Sequence, residues 1–173
     1  MSADAQQDTD FDPTFHHYNF RRTSGQPRFF EDMILGEKFY MPSRTVTDAA
    51  FAAFQVISGD NHPSHYDMEF SRSKGWPDLQ AHGLQMVALT APGASDFVFV
   101  TGGAMMGFIE QSSKFLKPLY RGDTVYPAIK IAELVPQRNT GVMILESTVH
   151  NQRGELLMLG EQRFLVKRRT PAE

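Results

Sequence analysis

The chain has 173 residues, no cysteine and a net charge of −3 with both signs interspersed. That length suits one domain with its own core, and the missing thiols exclude disulfide stapling, thiolate metal ligation and a catalytic cysteine. No basic stripe of the kind that tracks a phosphate backbone is present, so nucleic acid is not an expected partner.

In chain order, residues 1–28 are polar, open acidic (MSADAQQDTDFDPT) and lack sustained periodicity, which predicts an extended or partly disordered arm. Phe11, Phe15, Tyr18 and Phe20 suggest that part of it docks. A secretory leader would be basic and then apolar, so a cytoplasmic protein is expected. One domain is predicted over residues 29–169. Residues 37–46 carry the aromatic and β-branched content of a strand, with Pro42 confining it to an edge or bulge. Thr47 reads as a helix N-cap, followed by an apolar stripe of Phe51, Phe54 and Ile57 that ends at Gly59. Pro63 holds the next loop out of helix, and a short helix is predicted from about His65 to Lys74, closed by Gly75.

Residues 83–109 are apolar apart from Gln85, Asp96 and small polar residues. Pro92, Gly93, Gly102 and Gly103 divide the run, and a mid-span Asp opposes insertion, so a buried helix and not a membrane span is predicted. From there the pattern changes to strands at 105–116, 123–135, 140–150 and 155–167, the last two joined by an Asn151-Gln152-Arg153-Gly154 turn. A buried helix followed by an antiparallel run of strands is an α+β layout with the sheet wrapped around a long central helix.

Chemistry concentrates in SGDNHPSHYD, residues 58–67, where Asp60, His62, His65 and Asp67 crowd around Pro63. A carboxylate beside an imidazole is the commonest equipment for acid–base catalysis near neutral pH. Read from the residues alone, Asp60 serves equally as a turn residue satisfying backbone N–H groups, and His65 as a cap of the next helix. Asp60, His62 and His65 also offer three metal ligands, but Pro63 hinders their alignment and the His-Glu-x-x-His signature is absent, so no metal is predicted. Serine-hydrolase, phosphate-loop and dinucleotide motifs are also absent.

Gly59, Asp60, Pro63, His65 and Asp67, followed by Ala81, His82 and Gly83, resemble the hydratase motif of the MaoC-like hot-dog family. The position the family usually fills with Asn carries His62, and Asn61 stands one place earlier. The FLKPLYRGDTVY segment, residues 115–126, is similar to the family's strand–turn–strand. The resemblance implies a single hot-dog domain that adds water to, or removes it from, an enoyl or 3-hydroxyacyl thioester. Asp60 and His65 would hold the water, the Gly83 N–H would polarise the thioester carbonyl, and no cofactor is needed beyond the coenzyme A of the substrate. His62, Ser64 and His82, with Lys114 and Lys117 towards the carrier's phosphates, are the expected substrate-binding residues; Arg121 and Arg138 are further cations. The thioester's carrier would be coenzyme A or an acyl carrier protein, and a homodimer with sheets paired edge to edge, or a higher homo-oligomer, is also implied. The alternatives are a hot-dog thioesterase and a non-catalytic acyl-thioester-binding subunit.

Overall fold

A computed structural model describes residues 28–169; the arm predicted for residues 1–28 lies, apart from Arg28, outside the described residues. Two short strands, β1 (Lys38–Tyr40) and β2 (Arg44–Thr45), open the domain and both pair with β4 (Thr124–Pro136). The single strand expected over 37–46 is therefore interrupted on either side of Pro42, which cannot donate to a ladder. Helix α1 (Asp48–Ser58) follows, with Thr47 at its N-cap. Of its expected stripe only Phe51 is buried, Phe54 is half-buried and Ile57 stands in solvent.

The apolar run forms no single helix. It breaks into α3 (Gly83–Ala88), a 3₁₀ turn at Pro92–Ala94, α4 (Phe97–Thr101) and a second turn at Gly102–Ala104, while the short α2 (Met68–Ser73) precedes it. Pro92 and the glycines cause the breaks, and Gly102 takes a φ of +45° that other residues avoid. No helix among the described residues is long and apolar enough to cross a membrane.

β3 (Met105–Phe115), β4, β5 (Thr140–Asn151) and β6 (Leu156–Lys167) agree with the predicted strands to within a residue or so, and all pair antiparallel in the order β1-β4-β5-β6-β3. Alternation along β4 turns Val125, Ile129 and Ile131 to the helical layer and leaves Lys130 outside. Two apolar clusters fill the space between sheet and helices. One gathers Phe97 and Val100 of α4 with Ile129, Ile131, Met143 and Leu145, and the other gathers Met86 of α3 with Leu119, Val125, Val149 and Met158. Full burial stabilises each such side chain by about 1.5–3 kcal/mol.

A polar seam runs across the inner sheet face between those clusters. Gln162 of β6 donates to the Thr90 hydroxyl (3.0 Å) and carbonyl (3.2 Å), Ser147 and Thr90 are fully buried, and Gln111 and Ser113 of β3 bond to each other at 2.8 Å. Gly160 sits in the seam, where a Cβ would lie 2.6 Å from Ser147 Oγ and 2.9 Å from the Ser112 carbonyl oxygen.

Candidate active site

The site is assembled where α1 stops. Gly59 adopts a left-handed φ of +67° while its N–H closes the helix on Gln55 at 2.8 Å, and the reversal delivers Asp60 to the start of the loop. Asp60 Oδ1 accepts the His62 N–H at 3.0 Å, which ties one carboxylate oxygen to the loop and leaves Oδ2 to face inward. Pro63 then opens a single 3₁₀ turn ending at His65. His62 caps that turn: its Nδ1 accepts the Ser64 N–H at 3.3 Å and contacts Ser64 Oγ at 2.8 Å. Asp67 caps α2 by accepting the N–H groups of Glu69 and Phe70, so the second acidic residue of the motif has a structural task.

His65 is fixed from behind by the chain entering α3. Its Nδ1 lies 2.5 Å from the Gln80 carbonyl oxygen, which can only accept, so Nδ1 carries the proton and Nε2 presents a lone pair. Gln80 is itself held by its N–H to the Ser64 carbonyl (3.0 Å) and by a bridge to Tyr120. His65 Nε2 is 3.9 Å from Asp60 Oδ2. Burial, above all, lowers the His65 pKa, with the neighbouring His82 adding to the effect against the opposing Gln80 carbonyl and Asp60. The Asp60 pKa is also lowered, chiefly by the His62 N–H and then by the surrounding imidazoles. At neutral pH the pair is thus a carboxylate beside a neutral imidazole.

His82, only 4% exposed, stacks on His65 with ring centroids 3.6 Å apart and planes 21° from parallel. Its Nε2 lies 3.9 Å from Asp60 Oδ2, 3.4 Å from the Asp60 carbonyl oxygen and 3.3 Å from the Tyr66 hydroxyl. Gly83, next in the chain, is the first residue of α3, so its N–H has no acceptor within the helix. A Cβ at Gly83 would meet the Phe115 ring at 3.1–3.3 Å, which marks this backbone as closely approached.

The structure therefore brings together Asp60, His65, His82 and Gly83, with His62 and Ser64 forming the loop beneath them. Lys114 and Lys117 have other surroundings. Lys114 lines a groove of ≈ 360 Å³ on the sheet's outer face with Glu146 and Glu161, and Lys117 pairs with Glu155 at 2.8 Å. Arg121 is bound to both Asp48 (2.7 Å) and Asp78 (2.8 Å), and Arg138 lies in the β4–β5 turn. Asp60, His65 and His82 form the one cluster of potential metal ligands among the described residues, with ligand atoms within 4.8 Å of one another. Near-parallel stacked rings direct their in-plane lone pairs side by side, whereas chelation needs them to converge. Tyr66, Gln80 and Phe115 escaped sequence reasoning; the signal for the first two was their place directly beside the two motifs.

A six-stranded antiparallel sheet against short helices, with an Asp–His pair at a helix-entry loop, defines a hot-dog domain of the hydratase type. The MaoC like domain model matches residues 31–152, and the chain belongs to that family. It is 24% identical over 145 residues to an (R)-specific enoyl-CoA hydratase of Rhodospirillum rubrum, covering 82% of this chain and 93% of that one. It is 25% identical over 149 residues to a 3-hydroxybutyryl-CoA dehydratase of Methylorubrum extorquens, covering 84% and 88%. Among solved structures, a monoamine oxidase regulatory protein of Archaeoglobus superposes with a TM-score of 0.75 at 27% identity, over 82% of this chain and 95% of that one. The R-hydratase PhaJ1 of Pseudomonas aeruginosa shares the fold with a TM-score of 0.68 at 21% identity, over 80% and 85%.

Proposed function

We propose that the protein adds water across the 2,3 double bond of an enoyl thioester, or removes it from the (R)-3-hydroxyacyl thioester, with coenzyme A as carrier. The observation that carries this reading is the pair of unprotonated acceptors, Asp60 Oδ2 and His65 Nε2, 3.9 Å apart beside a helix-entry N–H. One water can donate one proton to each, which leaves an oxygen lone pair aimed at substrate. Neither acceptor starts with a proton to give, so the proton that reaches the α carbon comes from the water. As the water oxygen bonds to the β carbon, His65 Nε2 takes a water proton and the double-bond electrons move into a thioester enolate. The Gly83 N–H donates to that oxyanion, and His65 then returns the proton to the α carbon. Both groups add from the side where the Asp–His pair stands.

Apolar side chains exposed around this point, Leu84 on α3 and Phe115 and Leu116 at the end of β3, suit an acyl group. β3 is an edge strand whose apolar side chains Met106, Phe108 and Ile109 are more than half exposed, and pairing with β3 of a second copy would cover them. The assembly proposed is accordingly a homodimer.

The experiment is the loss of enoyl-thioester ultraviolet absorbance with short, medium and branched trans-2-enoyl-CoA substrates, with free thiol assayed in parallel. Wild type is expected to consume substrate without releasing thiol, and Asp60→Asn and His65→Ala each to lose about 10²–10⁴ in rate. Thiol release would replace this reading with a thioesterase, and binding without turnover would replace it with an acyl-thioester-binding subunit.

A further inference from the structure

Beyond the pair that holds water, the third ring of the cluster has no role in the chemistry above, yet it is the most buried and the most extensively contacted. His82 Nδ1 is buried without a hydrogen-bond partner, while Nε2 faces the Asp60 carbonyl oxygen, the Asp60 carboxylate and the Tyr66 hydroxyl. A neutral imidazole has one ring proton, and it resides where acceptors are, on Nε2. His82 is then a fixed donor towards Asp60 and cannot take a proton from a water held there. His65 is its opposite, with Nδ1 bound to Gln80 and Nε2 bare. Two rings that touch face to face thus carry reversed tautomers, one giving and one receiving at the same carboxylate.

We propose that His82 is a positioning residue of the hydration site: its Nε2–H holds the Asp60 backbone, and its ring face carries the His65 imidazole, so that the two water acceptors keep their 3.9 Å separation. Phe54 of α1 backs the ring at 5.0 Å and keeps it from sliding. Its location at the N-cap of α3 makes the residue that sets the acid–base pair also the one that precedes the Gly83 N–H, so both halves of the site share one mount. The titratable groups facing His65 are Asp60 and His62 from the preceding loop, Tyr66 from its own turn and His82 from the α3 entry.

The inference rests on the hydratase reading, and the two contacts can be separated by substitution. His82→Phe keeps an aromatic face and loses the N–H; its kcat is expected to fall about 10–100-fold with KM within about threefold of wild type. His82→Gln puts an amide N–H near the old Nε2 and loses the face. It is expected to keep more of kcat than His82→Phe but less than wild type, while the acid limb of its pH profile, and the His65 midpoint followed by NMR of histidine-labelled protein, both move up. His82→Asn, whose amide nitrogen falls at the Nδ1 end, loses both contacts and is expected to lose at least as much kcat as His82→Phe and to move the His65 midpoint up as His82→Gln does. Melting curves confirm that each variant is folded.

A His82→Phe enzyme within twofold of wild-type kcat, or a His65 midpoint unmoved in His82→Gln, would overturn the proposal. The NMR titration does not depend on turnover. An inactive wild type whose His65 midpoint still moves in His82→Gln would remove the hydratase reading and support the stacking contact on its own.

Discussion

Asp60 and His65 share one design: each commits one polar atom to the backbone and, in the mechanism proposed, keeps the other for chemistry. Asp60 Oδ1 is spent on the His62 N–H and His65 Nδ1 on the Gln80 carbonyl, so neither side chain can turn without breaking a bond to its loop. The lowered pKa values give a pH dependence with a definite sign. The folded His65 binds a proton less tightly than an unfolded histidine of ordinary pKa 6.5, so its contribution to stability is complete above pH 6.5 and declines as pH falls below it. Since the proposed mechanism needs a neutral His65, kcat/KM is expected to stay above half of its plateau at pH 6.5 and to lose the rest at lower pH. A profile already half-lost at pH 7 would contradict the burial of His65. Asp60 contributes in the same direction at lower pH, present above 3.8 and lost as pH falls through its depressed value. The Asp60–His65 motif was legible because loop chemistry around Pro63 is local. The His65–His82 stack was not, since a spacing of seventeen residues says nothing about which side chains meet after two turns and a helix.

Strands were the most legible elements. Period-two alternation and the Asn151–Gly154 turn located β5 and β6 because hairpin chemistry is written in adjacent residues: Asn151 Oδ1 accepts the N–H groups of Arg153 and Glu155, and Gly154 takes a φ of +73°. The central helical segment was less legible, because a continuous apolar run reads alike as buried helix or buried strand and the tertiary fold decides where it breaks. The β5–β6 hairpin is also braced by charge. Lys117, Asn151 and Arg153 converge on Glu155 and hold its pKa at about 2, against an ordinary 4.5. That support is present above pH 4.5 and is lost as pH falls towards 2. Glu155 is about one-third exposed, so screening discounts the gain to about 1 kcal/mol or less. Glu155→Gln is expected to lower Tm by about 2–4 °C at neutral pH, with the gap to wild type closing as acid protonates the native carboxylate. A gap that persisted unchanged at pH 2 would place the cause elsewhere.

On the scale of the molecule, a single copy leaves an open sheet edge next to a row of apolar side chains, and the proposed homodimer resolves both. Light scattering is expected to give twice the 19.5 kDa chain mass. Ile109→Lys, with its charge beside the edge, is expected to shift the protein towards monomer at about micromolar concentration and to lower activity in parallel. A fully active wild-type monomer would refute the pairing.

The polar seam has a bearing on how that edge strand finds its place. Sliding β3 by one residue along β6 would turn Ser112 and Lys114 inward, and hydrophobic alternation alone forbids it. Sliding by two preserves the alternation and would pass unnoticed in a uniformly apolar face. Here one direction would move Phe115 opposite Gly160, under the crowded Ser147 hydroxyl, and set Gln111 against Phe164, while the other would set Ser113 against Met158 and Gln111 against Gly160. The buried glutamines and serines thus act as a registration mark, rejecting the even-numbered misalignments that oil alone would accept.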